Sequence, residues 1–196
     1  MLRRTALITL AGSVLAACAP ESKPQFKAVD ITGADYARDF ALPDTDGKLR
    51  SIKDFAGKAV VVFFGYTQCP DVCPTTMAEI ADAKKLLGAQ GDKVQGVFIT
   101  IDPERDKPEL LKAYIASFGP DMVALRGNDA QTAATAKDFK VYYKKVDGKT
   151  PGSYFMEHTA ASYIYDPQGR LRLYSRYGAG PQALADDLKL LLQQPA

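Results

Sequence analysis

Three cysteines and one histidine hold most of the reactive chemistry open to this 196-residue chain. Two of the cysteines stand four apart in Cys69-Pro70-Asp71-Val72-Cys73, and the histidine, His158, lies far downstream. The third, Cys18, closes an N-terminal apolar stretch and belongs to a different process. Two thiols and one imidazole suit soft-metal binding or thiol redox work, because thiolate is both a soft ligand and a nucleophile. Zinc is the poorer fit, since a closed zinc site takes four protein ligands. Copper suits the set better: sulfur favours Cu(I), and imidazole accommodates Cu(II) as well. A structural disulfide between Cys69 and Cys73 is the bland alternative for an exported protein, although structural disulfides usually close larger loops.

The flanking sequence says what must hold these groups. Ala59 to Gly65 is an unbroken apolar run rich in β-branched residues, the pattern of a central strand buried on both faces. The cysteine loop follows it directly, and Pro74 then stands where a helix would have its first residue, with Met77, Ile80, Ala81, Lys84 and Leu87 continuing at helical spacing. A helix N-terminus at the carboxyl end of a strand supplies amide donors and partial positive charge, which stabilise thiolate. If residues 69–73 are helical, the two thiols share one helix face. Downstream, the pattern predicts strands over 94–101, 123–125, 141–146, 160–165 and 171–176, and helices over 108–118, 130–139 and 181–191. A hairpin over 40–52 turns at Asp44-Thr45-Asp46-Gly47. His158 is expected in a loop entering the strand that begins at Ala160. This order of elements predicts an α/β fold with a central sheet covered by helices.

The N-terminus has a signal-like pattern. Arg3 and Arg4 precede an apolar run from Ala6 that ends in Leu15-Ala16-Ala17-Cys18, too short for a comfortable membrane span. It reads as a signal peptide over 1–17, with a Pro-, Ser- and charge-rich tether over 18–36 and one domain over 37–196. Leu-Ala-Ala-Cys resembles a bacterial lipobox, which implies cleavage before Cys18, acylation of its thiol and a membrane-anchored lipoprotein facing the periplasm. Ala19 follows the cysteine, so the usual signal for inner-membrane retention is not encoded and the leaflet stays open. Without Arg3 and Arg4, 23 basic residues face 23 acidic ones, and nothing points to a nucleic-acid partner.

Three blocks of the chain together resemble the Sco/SenC copper-protein family: Phe64-Gly65-Tyr66-Thr67-Gln68-Cys69-Pro70-Asp71-Val72-Cys73-Pro74, then Thr100-Ile101-Asp102-Pro103-Glu104-Arg105-Asp106, then Glu157-His158-Thr159. The likeness covers roughly residues 40–190. It implies a thioredoxin-like fold with a central mixed sheet and an N-terminal β-hairpin extension. It also implies copper, as Cu(I) and Cu(II), held by Cys69, Cys73 and His158. The implied role is assembly of the dinuclear copper A centre of cytochrome c oxidase subunit II, or delivery to another copper acceptor, with a thiol reductant or copper donor as further partner. Asp102 matches an acidic position near the metal, where it could orient His158 or balance the charge of the ion; the alternative is a turn-former before Pro103. Arg105 and Asp106 read as a surface pair. Met77 reads as a packing residue, Met156 as lining the site or a docking face, and Tyr66 and Tyr154 as an aromatic rim.

Two functions remain open on this reading. The first is a metallochaperone, a binding protein with no catalytic residue. The second is a thiol-disulfide oxidoreductase in which Cys69 and Cys73 form the redox-active pair and reduce the acceptor's copper-ligand cysteines. Peroxide reduction is the weaker third, because both cysteines lie in one short loop and no motif places an arginine beside them.

Overall fold

A computed structural model describes residues 24–194 of the chain. The expected signal peptide and the lipidation residue Cys18 lie outside the described residues. Among the described residues no helix is long and apolar enough to cross a membrane.

The apolar run Ala59–Gly65 forms a strand buried at every position, at the centre of a six-stranded sheet. In chain order the strands are β1 (Val29–Asp30), β2 (Leu42–Pro43), β3 (Leu49–Arg50), β4 (Ala59–Gly65), β5 (Val94–Thr100), β6 (Val123–Leu125), β7 (Tyr143–Asp147), β8 (Tyr154–His158), β9 (Ala161–Tyr165) and β10 (Leu171–Arg176). The sheet order is β1-β10-β9-β4-β5-β6. The β4–β5 and β5–β6 pairs are parallel, and β4–β9, β9–β10 and β1–β10 are antiparallel. The helices are α1 (Val72–Leu86), α2 (Pro108–Ala116), α3 (Asp129–Asp138) and α4 (Pro181–Gln193).

Side chains alternate across β4, so Phe63 and Phe64 serve opposite faces. Phe63 borders a small gap with Ile80 of α1 and Leu184 of α4. Phe64 packs edge-on against Phe139, just past α3, with centroids 5.0 Å apart, and against Tyr163 of β9. Helices on both faces explain why β4 has no polar alternation. The expected α/β class with a mixed sheet is what forms, and most element limits agree within a residue or two. The β2–β3 hairpin also forms, its turn held by Asp44, whose carboxylate accepts the Asp46 and Lys48 amides and pairs with Arg50.

Two placements differ from the sequence reading. The tether expected over 18–36 ends sooner, because Val29–Asp30 adds an edge strand to β10. Lys27 and Ala28 donate their amides to Asp187 of α4 at 2.7 and 2.8 Å. The described chain is therefore bound to the domain from Lys27 onward. The second difference is β8. Residues 154–158 form a strand paired with β7 in a two-stranded ribbon separate from the main sheet, with Tyr143 opposite His158.

Candidate metal centre

The cysteine loop leaves the carboxyl end of β4 and enters α1 two residues earlier than predicted. The helix starts at Val72, so Pro74 is its third residue. Proline is tolerated there because first-turn amides have no intrahelical partner. Cys73 lies in the first turn, while Cys69 lies before the helix and its Sγ accepts the Cys73 amide at 3.4 Å. The expected pairing on one helix face is therefore replaced by a cap: the first thiol sits over the helix end that carries the second. Cys73 is fully buried and Cys69 half-buried, and both are free thiols.

His158 arrives from a different element. It is the last residue of β8 rather than part of a loop. Its Nε2 stands 3.6 Å from Cys73 Sγ, and its Nδ1 lies 3.0 Å from the Thr159 carbonyl. A carbonyl only accepts, so Nδ1 carries a proton, and Nε2 is the ring nitrogen that faces the thiols. The rings of Phe63 and Tyr66 meet the imidazole edge-on, with centroids 6.0 and 6.1 Å away. The three donor atoms, one from each of Cys69, Cys73 and His158, lie within 4.8 Å of one another.

The two thiols differ electrostatically. The Cys73 thiol donates to Cys69, and this bond, helped by His158 and by the Cys73 and Asp71 amides, lowers the Cys69 pKa to about 4 against the opposing effect of burial. The same bond and the deeper burial push Cys73 far upward. The pair therefore favours ionisation at Cys69 over Cys73.

Asp102 does not orient the histidine; the Thr159 carbonyl does that. Instead Asp102 is buried and accepts from Arg105 Nε at 2.5 Å and from the Tyr154 hydroxyl at 2.9 Å. Nor do Arg105 and Asp106 form a surface pair. Asp106 is fully buried and accepts from the hydroxyls of Thr67 and Thr100, both at 2.6 Å, and from the Thr67 amide. It fixes the loop two residues before Cys69. The sequence signal for this role is faint: Thr67 and Thr100 stand in the same blocks as Asp106, with no local pattern that pairs them. Met77 is fully buried in α1, as expected of a packing residue, and Met156 is buried as well. Tyr66 is buried rather than on an exposed rim, and Tyr154 is half-buried with Arg105 over its ring.

The SCO1/SenC family model matches residues 28–193. This chain belongs to the SCO1/SenC family. A SCO2-like protein of Rickettsia felis is 32% identical over 152 residues, covering 77% of this chain and 74% of that one. ScoI of Bradyrhizobium japonicum, solved with copper bound, is 42% identical with a TM-score of 0.70, covering 78% of this chain and 97% of that one. A SCO1/SenC family lipoprotein from Bacillus anthracis is 30% identical with a TM-score of 0.66, covering 79% and 94% respectively. The mixed sheet flanked by helices is the thioredoxin-like fold of Sco structures.

One further feature of this SCO1/SenC site follows from packing. Gly65 closes β4 against the site, and a Cβ there would lie 2.8 Å from Cys73 Sγ and 2.9 Å from the Phe98 ring. Any larger residue must displace the thiol or the rings behind it, so glycine sets how close the strand comes to Cys73.

Proposed function

We propose that this protein binds copper through Cys69, Cys73 and His158 and delivers it during assembly of the dinuclear copper A centre of cytochrome c oxidase subunit II. The observation that carries the reading is the meeting of two thiols and one imidazole nitrogen within 4.8 Å. Two sulfurs suit Cu(I), and the imidazole extends the set to Cu(II). Three protein donors leave room for an incoming thiolate, so the copper cargo can pass to acceptor cysteines by ligand exchange. Cys69 and His158 are only half-buried, which leaves the site open to such a partner. The sequence Leu15-Ala16-Ala17-Cys18 supports an exported lipoprotein with its mature end at Cys18. Cys18→Ala is then expected to move the protein from the membrane fraction to the soluble one; continued sedimentation with membranes contradicts a lipid anchor.

A second reading has its own support. A half-buried thiolate with its pKa near 4, backed by a buried partner thiol, is also the arrangement of a thiol-disulfide exchanger. In that reaction two protein thiols become a disulfide as the acceptor's disulfide becomes two thiols. Mixing the copper-loaded protein with a reduced, copper-free subunit II domain tests the first reading: copper moves and the thiol count stays constant. An oxidised acceptor that gains two thiols while Cys69 and Cys73 lose theirs, with no copper transferred under either condition, supports the reductase instead.

A further inference from the structure

The two halves of the site come from elements that share no sheet. Cys69 and Cys73 lie between β4 and α1, while His158 ends β8 of the separate β7–β8 ribbon. Something must hold the ribbon against the cysteine loop. Beyond the rings of Phe63 and Tyr66 that meet His158, a side chain from a third element, the loop after β5, bonds to both halves.

We infer that Arg105 is a positioning residue for the copper site, pinning the ribbon that carries His158 to the loop that carries Cys69. Its Nη1 donates to Gln68 Oε1 at 3.1 Å, one residue before Cys69, and to the Tyr154 carbonyl at 2.9 Å, at the start of β8. Its Nε donates to Asp102, which also accepts the Tyr154 hydroxyl. The guanidinium lies 3.5 Å from the Tyr154 ring centroid and 5.7 Å from that of Tyr66, the residue whose own ring meets His158. Lys145 of β7 lies 3.8 Å from the Tyr154 centroid and pairs with Glu104 at 2.7 Å, adding a second tie between ribbon and the loop after β5.

The residue type is what this task requires. A planar guanidinium donates in several fixed directions while its face stacks on a ring, and an ammonium cannot reproduce that fork. The Arg105 side chain is mostly buried, 18% exposed, and so is Asp102, which shields the pair from solvent. Held in this way, Tyr154 starts β8 in a fixed place, and the strand's five residues carry that placement to His158. The arrangement resembles the outer groups that orient metal-binding histidines elsewhere, though here it acts through the backbone of a ribbon rather than on the ring.

The inference rests on the proposed copper site, so the test has one readout that needs no copper. In the copper-free full chain, hydrogen exchange of the β7 and β8 amides is expected to quicken in Arg105→Met and in Arg105→Lys, while β4 and β5 amides keep wild-type rates. With copper, both variants are expected to lose about 10–100-fold in Cu(II) affinity, the range seen when groups supporting a ligand are removed. Both should also shift the Cu(II) paramagnetic resonance spectrum toward that of His158→Ala. The double variant Arg105→Met/His158→Ala should bind Cu(II) no more weakly than His158→Ala alone, because a group acting through His158 has nothing left to position. Unchanged exchange in the ribbon, wild-type behaviour of Arg105→Lys, or additive losses in the double variant would each overturn the inference. A wild-type chain that binds no copper, yet shows the exchange change in Arg105→Met, would refute the copper reading and leave the tie itself standing.

Discussion

Cys69→Ser and Cys73→Ser are each expected to weaken Cu(I) binding by more than about 100-fold, beyond what loss of a merely supporting group costs. A hydroxyl is a hard, rarely ionised donor, and one remaining thiolate with an imidazole cannot match two sulfurs for a soft ion. The two variants should differ in stability. Cys73 is fully buried against Gly65, so its replacement by the smaller, more polar serine should lower the melting temperature measurably. Cys69 is half-buried and its replacement should leave the melting temperature nearly unchanged. Competition with a chromophoric Cu(I) chelator, paired with thermal unfolding, reads both effects. Either variant retaining wild-type Cu(I) affinity contradicts a two-thiolate site.

The second large effect concerns pH. With the Cys69 pKa lowered from 9.0 to about 4, the thiolate is the major form wherever the pH exceeds the lower value. Alkylation of Cys69 by iodoacetamide should therefore hold level from about pH 8 to 6, where an ordinary thiol loses about tenfold per unit, and should fall only as the pH drops through about 4. Cys73, buried and with its pKa raised, should stay unmodified throughout. The chief cause of the lowered value is the Cys73 hydrogen bond, so Cys73→Ala should move the fall in Cys69 reactivity upward toward that of a free thiol. Mass spectrometry of the labelled chain follows both positions. A rate for Cys69 that rises tenfold per unit between about pH 6 and 8 in the wild type would show that the bond does not hold the thiolate. For function, a thiolate already formed at neutral pH meets a soft cation without first releasing a proton.

Much of this site was legible because its cysteines follow the least ambiguous element in the chain. A seven-residue apolar run can hardly be anything but a buried strand, and a proline soon after Cys73 marks a helix start. The donors themselves stood out by scarcity. What stayed hidden depends on tertiary pairing. Strand β7 is expected from the sequence over 141–146, but its partner β8 buries only Met156 and so has no apolar period to read. Its geometry follows from the tie to Asp102 and Arg105, which local pattern does not encode. Strand β1 is two exposed residues held by pairing to β10 and, just before it, by Asp187, an acid on the buried side of α4. Asp106 looked like half of a surface ion pair because adjacent opposite charges usually are; burial beneath two threonine hydroxyls is visible only once the two loops are brought together.

The measurement that bears most directly on the central claim is a Cu(II) titration of the reduced protein, with optical and electron paramagnetic resonance spectra, run beside His158→Ala. The copper site predicts one ion per chain and a thiolate-to-copper charge-transfer band that the histidine substitution alters, since the imidazole is the harder ligand and matters most for Cu(II). A band identical in His158→Ala, or no stable band together with rapid oxidation of Cys69 and Cys73 to a disulfide, would contradict it.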